Sequence, residues 1–508
     1  MFWIEKVVDE VEKLHPSGEI IVSSGVSPSG KYHVGTLREV LTTDALAIEL
    51  KKRGRSVRHI HFADDLDQFR KIPAGIDASY EKYLGQSLCD IPSPEGEDSY
   101  ADFYLNDFLG NLDTLGINME VVRAHEKYRS GFFEPAIEKV LANIDEVKKC
   151  LEKVSGRQLD EQWSPIQVNE EGYLKKRPFV SIDTVKKTII YINKNDQETE
   201  VSYTSGLVKL DWRLDWPARW WLVGVSAEPF GRDHASKGGS YDTGAVLIEK
   251  VFGGSAPYPV PYEFINRAGE TKKMSKSAGN TVNISDLLSI LPPEIVRFFV
   301  LRYSPDKKLN FDQEDGVVRL IDEYAELLGK PDKSSDDEAL LLLCASTLAK
   351  NTVSNVPFSH LVASYQSALK DPQKTLEIIK RTEHADVAES QKQVIFDELI
   401  YINKWLENWA PESVKFSIRE TINPADFDEI EVKFLDSLAG KVESAPENAD
   451  GEWFHKAIYE LQTDDFGPKQ MFSALYRCII DKQAGPRAGW FLSILPRDWL
   501  TQRLKLQK

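Results

Sequence analysis

Cysteine is scarce in this chain, with four in 508 residues. Cys89, Cys150, Cys344 and Cys478 stand too far apart for local metal-ligand spacing and are too few for a disulfide framework. They are expected as buried free thiols, in keeping with the burial preference of cysteine. Long apolar runs are missing too. The most apolar stretches, Leu340–Ala345 and Trp490–Leu495, fall well short of the roughly 20 residues a membrane-spanning helix needs. Met1–Lys13 carries charges throughout, unlike a secretory leader. No membrane partner and a cytoplasmic location are the expectations. Positive charge is in deficit, with 63 Lys and Arg against 80 Asp and Glu, a formal balance of −17. That balance speaks against general attraction to nucleic acid, but binding depends on where positive charge is concentrated. Between Lys469 and Lys508, eight Lys or Arg face only Asp481 and Asp498. A solvated helix face accounts for such a bias as readily as a polyanion site does.

What is present is a large globular composition, 42% hydrophobic and 28% charged, long enough for three or four domains. Glu19–Ser24 contains Ile20, Ile21 and Val22, suited to a buried strand. Gly25–Gly35 then mixes Gly, Ser and Pro as an irregular turn. Leu37, Val40, Leu41, Ala45 and Ile48 recur at helical spacing, and Lys51, Lys52 and Arg53 precede Gly54, a basic last turn with a terminating glycine. Val57–Phe62 supplies a second strand, followed at once by Asp64, Asp65 and Asp67. This βαβ unit predicts an open parallel sheet with its ligand at the carboxyl ends of the strands. Thr188–Tyr203 partly alternates around Asn195-Asp196, a hairpin signature. Gly329–Glu338 is polar and rich in breakers, and beyond it the periodicity is helical, at Leu340–Ala349, Gln391–Trp409, Trp453–Leu461 and Met471–Asp481.

Two loops carry chemistry. Pro28–Thr36 (PSGKYHVGT) lies between a strand and a helix amino terminus, where unpaired N–H groups favour phosphate. Gly30 and Gly35 allow close approach, and His33 offers a hydrogen bond to a phosphate as charge develops. Lys272–Asn280 (KKMSKSAGN) is a basic loop before a helix at Ile284–Leu291. Lys273 and Lys276 suit a triphosphate clamp, and Ser275 and Ser277 add donors. Taken singly, each loop reads more readily as a purely structural turn or a solvated patch than as a site. Together and in this order, HVGT and KMSKS resemble the paired signature loops of class I aminoacyl-tRNA synthetases. Thr36 departs from the second histidine of that signature.

Longer matches narrow the resemblance. SGVSPSGKYHVGTLREV (Ser24–Val40), VRHIHFADDLDQFRKIP (Val57–Pro73), LDWRLDWPARW (Leu210–Trp220), EPFGRDHASKGGSYDTG (Glu228–Gly244) and KKMSKSAGN resemble class I lysyl-tRNA synthetases, as does the ending Leu475–Leu504. The resemblance implies an α/β class with a Rossmann-type parallel sheet catalytic domain, a β-rich insertion and an all-α C-terminal anticodon-binding domain. The divisions expected are 1–165 and 211–302 for the two catalytic halves, 166–210 for the insertion, 303–345 for a connecting stem and 346–508 for the helical domain. It implies a lysine–tRNA ligase acting on lysine, ATP with Mg²⁺, and tRNA(Lys), as a monomer. His33, Lys273 and Lys276 would be catalytic. Pro28, Gly30, His33, Gly35, Thr36, Gly231, Asp233, Lys273, Met274, Ser275 and Lys276 would bind ATP. Gly25, Ser27, Asp64, Trp220, Glu228, His234 and Tyr241 would bind lysine, and Arg487, Trp490 and Arg497 would meet tRNA.

A buried ε-ammonium requires a carboxylate, and Asp64, Asp65 and Glu228 are the candidates, unless Asp65 and Asp67 simply pair with Arg70 or Lys71. Many relatives carry cysteine pairs in the insertion. Gln167–Gly206 has neither cysteine nor histidine, so no zinc is expected. A glutamyl-type synthetase, a small-molecule nucleotidyltransferase and a non-catalytic tRNA-binding paralogue are the alternatives.

Overall fold

The computed structural model describes residues 2–96, 98–160, 163–269, 282–345 and 353–507. The chain divides into two compact units. The first takes its described residues from 1–288, 296–311 and 334–345, the second from 289–295, 312–333 and 353–507.

The first unit is built on a parallel sheet. Ile20–Val26 (β1), Val57–Ala63 (β2) and Glu120–Arg123 (β3) form one half, and Ala227–Gly231 (β10) and Tyr258–Tyr262 (β11) the other. Their spatial order is β11-β10-β1-β2-β3, every pairing parallel. The connections run outward in opposite directions from the neighbours β1 and β10, leaving a crevice at their carboxyl ends, the usual ligand position in such sheets. β1 runs to Val26, past the expected end at Ser24, because its ladder with β2 continues through Gly25↔Phe62 and Val26↔Ala63. Gly25 is therefore a strand residue. A Cβ there would press the Phe62 Cβ at 3.3 Å.

The helix Val34–Lys52 follows the first loop, and Gly54 takes the left-handed conformation (φ 80°) just beyond it. Charge buried along this helix is compensated inside the same unit. Arg38 gives its guanidinium to the carbonyls of Val300, Ser304 (2.7 Å) and Lys307. Asp44 takes Arg297 at 2.6 Å, and Arg297 also meets the carbonyls of Leu343 and Leu115. These contacts fix the helix whose N-cap is His33.

Between the sheet halves lie six short strands, Ile166–Glu170 (β4), Tyr173–Lys176 (β5), Phe179–Asp183 (β6), Thr188–Ile192 (β7), Glu198–Ser202 (β8) and Val208–Leu210 (β9). They form two antiparallel sheets, β5-β4-β9 and β6-β7-β8. The β7–β8 hairpin turns through Asp196 at positive φ, where the Asn-Asp pair predicts it. Ile166, Val168, Ile189, Tyr191, Val208 and Leu210 join the apolar core that also holds Trp220, so apolar packing holds the insertion. Two further short strands, Ile265–Arg267 (β12) and Leu309–Phe311 (β13), pair in parallel.

The second unit is helical. Lys392–Asn408 buries Ile395, Leu399, Ile402, Trp405 and Leu406 on one stripe. Glu429–Glu443 opens with a capping box of Asp428 and Glu431, and Pro468–Ile480 closes with Asp481 in the left-handed conformation. Their apolar faces meet Phe454, Phe491, Leu492, Leu500 and Leu504 in one core. Cys478 lies in that core, and Cys150 and Cys344 are likewise buried free thiols, while Cys89 is partly exposed. Among the described residues no helix is long and apolar enough to cross a membrane.

Candidate active site

At the carboxyl ends of β1, β10 and β11 lies a cavity of about 450 Å³. Its floor is Gly25, Phe62 and Phe230; Trp212, Trp216 and Trp220, from the helix Trp212–Val223, supply aromatic lining. The helix begins with Asp211 as its N-cap, although a paired lysine, Lys176, also holds that carboxylate at 2.6 Å. Spacing of four places Trp216 and Trp220 one above the other. Both indoles donate to one carboxylate, Glu228 on β10, Trp216 at 3.1 Å and Trp220 to the other oxygen.

The charges of this cavity are unequal. Six acids line it, Glu39, Asp64, Asp67, Asp215, Glu228 and Asp233, against three permanent cations, Arg70, Lys209 and Arg219. Arg219 pairs with both Asp64 and Asp215, and Asp215 also accepts from the Tyr128 hydroxyl at 2.6 Å. Lys209, buried, holds Asp67 at 3.0 Å. Among the described residues, Glu228 has only the indole donors in direct contact. Burial pushes its carboxyl up to about 7, the indoles and Arg219 opposing. Glu39 accepts from the Gly25 N–H at 2.8 Å and the Tyr262 hydroxyl at 2.7 Å, and burial pushes it up to about 8. A cation entering this cavity meets carboxylates with no ion-pair partner among the described residues.

Two readings of the acidic cluster change. Asp65 faces neither the cavity nor Arg70 and Lys71. Arg123 at 2.5 Å, the His125 N–H at 2.8 Å and the His125 ring at 2.7 Å hold it behind β2. Asp67 pairs with Lys209, 142 positions away, rather than with its sequence neighbours.

The loop Pro28–Thr36 adjoins the same sheet ends. Its amino-terminal N–H groups are already used, contrary to the expectation of unpaired donors. Val34 donates to the Val282 carbonyl at 2.9 Å, Gly35 to Nδ1 of His33 at 3.0 Å, and Thr36 to the His33 carbonyl at 2.8 Å. The Gly35 bond has a chemical consequence. With Nδ1 accepting, the neutral imidazole carries its proton on Nε2, the nitrogen that would face a phosphate. Gly35 is needed as glycine, since a Cβ would stand 2.7 Å from Cε1 of that ring. Gly35→Ala is expected to displace the imidazole and lower the rate of any step in which His33 meets a phosphate about tenfold, as misplacing a reacting group does. A single-turnover rate within twofold of the parent would contradict this.

The second loop of the sequence argument, Lys273, Met274, Ser275 and Lys276 included, lies outside the described residues. Its downstream flank is described, and it is tied to the first loop. Asn283 bridges His33, and Ile284 donates to the Tyr32 carbonyl.

The other expected contacts fall at different depths. Gly25, Asp64, Trp220, Glu228, Gly231, Asp233 and His234 line the cavity. The His234 ring stands edge-on to Trp212 and Trp216. At Gly231 a Cβ would meet Asp233 Oδ1 at 2.6 Å. Tyr241 stands behind the wall, stacked on Phe230 with its hydroxyl on the Pro257 carbonyl. Ser27 reaches the Asp64 carbonyl at 3.4 Å. Tyr262, Glu39 and Lys209 line the cavity without having been anticipated. In the second unit, Arg487 and Trp490 line a cavity of about 1240 Å³ with His360, Tyr459 and Tyr476. Arg497 is spent elsewhere, on the carbonyls of Ala445, Pro446 and Glu447.

Comparison with known proteins finds a family model and full-length relatives. The family model described as tRNA synthetases class I (K) matches residues 1–342. A protein named lysine–tRNA ligase 1 from Methanosarcina acetivorans is 35% identical, with 99% of this chain and 98% of that one covered. A lysine–tRNA ligase from Archaeoglobus fulgidus is also 35% identical, covering 99% of both chains. A solved glutamate tRNA ligase from Elizabethkingia meningosepticum aligns over 96% of this chain and 98% of its own at 14% identity, with a TM-score of 0.44.

Proposed function

This chain belongs to the class I (K) tRNA synthetases, and we propose that it activates lysine with ATP and loads it onto tRNA(Lys). The observation that carries the choice of amino acid is Glu228, a buried carboxylate under two indole donors in an acid-rich cavity. A lysine ε-ammonium placed there gains an ion pair that offsets the hydration it loses on burial. A glutamate side chain would bring a seventh carboxylate into the same space, which argues against the glutamyl alternative.

In the first step the lysine carboxylate attacks the α-phosphorus of ATP and pyrophosphate leaves. In the second, a hydroxyl of the tRNA 3′ adenosine attacks the mixed anhydride and AMP leaves. The enzyme forms no covalent bond; it positions reactants and stabilises charge. His33 Nε2–H donates to the phosphate, Lys273 and Lys276 neutralise the departing pyrophosphate, and Asp233 accepts from ribose hydroxyls. Pro28, Gly30, Gly35, Thr36 and Gly231 let ATP come close, and Met274 and Ser275 join the ATP-binding set, as the family resemblance implies. ATP would enter with Mg²⁺ as part of the substrate, and the ion would supply neutralisation of the phosphate charge. Gly25 and Ser27 take the backbone end of lysine, while Asp64, Trp220, Glu228 and His234 bound its side chain, with Tyr241 supporting the wall.

The helical unit reads the anticodon. Among the described residues, Trp490 Nε1 and His360 Nε2 are buried beside its cavity without a hydrogen-bond partner, and unstacked bases bring both edges to pair and faces to stack. Arg487 adds a cation there. The working form is a cytoplasmic monomer. Amino-acid-dependent ATP–pyrophosphate exchange tests the reading. Lysine should support exchange at least a hundredfold faster than glutamate or any other standard amino acid. Exchange that follows glutamate, or tRNA binding with no exchange at all, would overturn it.

A further inference from the structure

Only two carboxylates lining the active-site cavity are both buried and without an ion-pair partner among the described residues. Asp64 and Asp215 share Arg219, and Asp67 holds Lys209. Asp233 is half exposed, with the His234 ring 4.0 Å away. Glu228 and Glu39 remain, 7% and 8% exposed. Glu228 arrives on β10 and Glu39 on the helix Val34–Lys52 that also presents His33. Glu39 ties three elements together, since one oxygen takes the N–H of Gly25 at the end of β1 and the other takes the hydroxyl of Tyr262 at the end of β11. A diamino acid carries two ammonium groups against one carboxylate.

We infer that Glu39 is a substrate-binding residue that, with Glu228, balances the charge of the diamino acid, so that lysine enters as the cavity gives up a proton. The inference rests on the lysine reading and adds to it a second carboxylate beside Glu228. Every titratable group that faces Glu39 enters the balance. Glu228 and Asp64 raise its pKa, while the Gly25 N–H and Tyr262 hydroxyl lower it. Tyr32 also feels Glu39, and Tyr262 in turn feels Asp233 and Arg38. The last of these is committed to three carbonyls. With the cavity empty, like charge and burial keep Glu39 and Glu228 partly protonated near neutral pH. An entering cation reverses that preference, and the two groups titrate as a pair.

Glu39→Gln keeps the shape and an acceptor for Gly25, and its amide donates to the Tyr262 oxygen. In the parent enzyme, KM for lysine should fall as pH rises from 6.5 to 8.5, by up to about tenfold per pH unit for each proton released. Lysine binding at pH 7.5 should release protons, seen by calorimetry in two buffers of different ionisation enthalpy. In E39Q, KM for lysine at pH 8.5 should rise about tenfold or more, the slope above pH 7.5 should vanish and the released proton should shrink. KM for ATP serves as the reference for intact structure. Glu39→Ala separates the bland role: a purely structural Glu39 would raise KM for lysine and ATP together in the alanine variant and be restored fully by glutamine. A lysine profile in E39Q that matches the parent overturns this inference alone. A parent enzyme with no lysine-dependent exchange at any pH overturns the amino-acid reading and this inference with it.

Discussion

Glu228→Gln is expected to lower kcat/KM for lysine by about 10² to 10³ with little effect on KM for ATP. The size follows from desolvation. Removing one member of a buried, hydrogen-bonded charge pair costs about 2–5 kcal/mol, because the remaining charge is left unmatched. Glu228 is 7% exposed, and Arg219, the cation nearest in effect, is already divided between Asp64 and Asp215. Nothing else among the described residues offers the ammonium an equivalent partner on that wall. Glutamine also fits the indoles poorly, since its amide end presents N–H to one of two N–H donors, Trp216 or Trp220. The loss should sit mainly in KM, the mark of binding shared by ground and transition states.

The pH dependence gives this expectation a sign. Burial holds Glu228 at about 7, so its charged fraction falls as pH drops from 8 to 6, and lysine should bind more weakly there. The variant should lose that part of the dependence. Norleucine, which has the shape of lysine without the ammonium, should be rejected strongly by the parent and far less selectively by E228Q. Lysine-dependent exchange measured from pH 6 to 8.5 decides the matter: a lysine KM within threefold of the parent would remove Glu228 from the binding site.

What the sequence could and could not show follows from the range of the interactions involved. The run Ile20–Val22, the basic end of the first helix and the Asn195-Asp196 turn are local signals, and the corresponding elements form at Ile20–Val26, Val34–Lys52 and the β7–β8 hairpin. Gly25 looked like part of a turn because glycine is a poor strand former. The ladder with β2 overrides that preference, as tertiary pairing commonly does. Glu39 gave no local sign of function, since it falls on the helix face between Leu37 and Val40. Its role depends on Tyr262, 223 positions away. Lys209 and Asp67 are likewise distant, and the sequence offered Asp67 nearer cations in Arg70 and Lys71. Motif strings located the cavity, because its walls are strand ends and the turns that follow them. Charge matching inside it is a three-dimensional property, decided by which cations each carboxylate reaches first.

His33→Asn should reduce kcat for lysyl-adenylate formation by about 10² to 10³ while leaving the fold nearly as stable as the parent. The imidazole has two jobs in this structure, and asparagine keeps one of them. Nδ1 of His33 caps the helix Val34–Lys52 by accepting from the Gly35 N–H, and an asparagine oxygen is among the best N-cap acceptors. The second job is the Nε2–H donor that the same bond fixes by setting the tautomer. The asparagine amide ends about where Nδ1 lay and presents nothing at the Nε2 position. Losing one preorganised donor to developing oxyanion charge typically costs about 10² to 10³ in rate. His33→Ala should lose the same rate and also about 1 kcal/mol of stability through the missing cap. Rapid-quench measurement of adenylate formation, set beside urea unfolding of both variants, separates the two roles. An H33N rate within tenfold of the parent would mean that His33 serves the helix and not the phosphate, and equal stability losses in the two variants would mean that asparagine does not replace the cap. Val282 and Asn283, bonded to the same loop, keep the first loop anchored in either variant, so a rate loss in H33N reports on the ring and not on a collapsed loop.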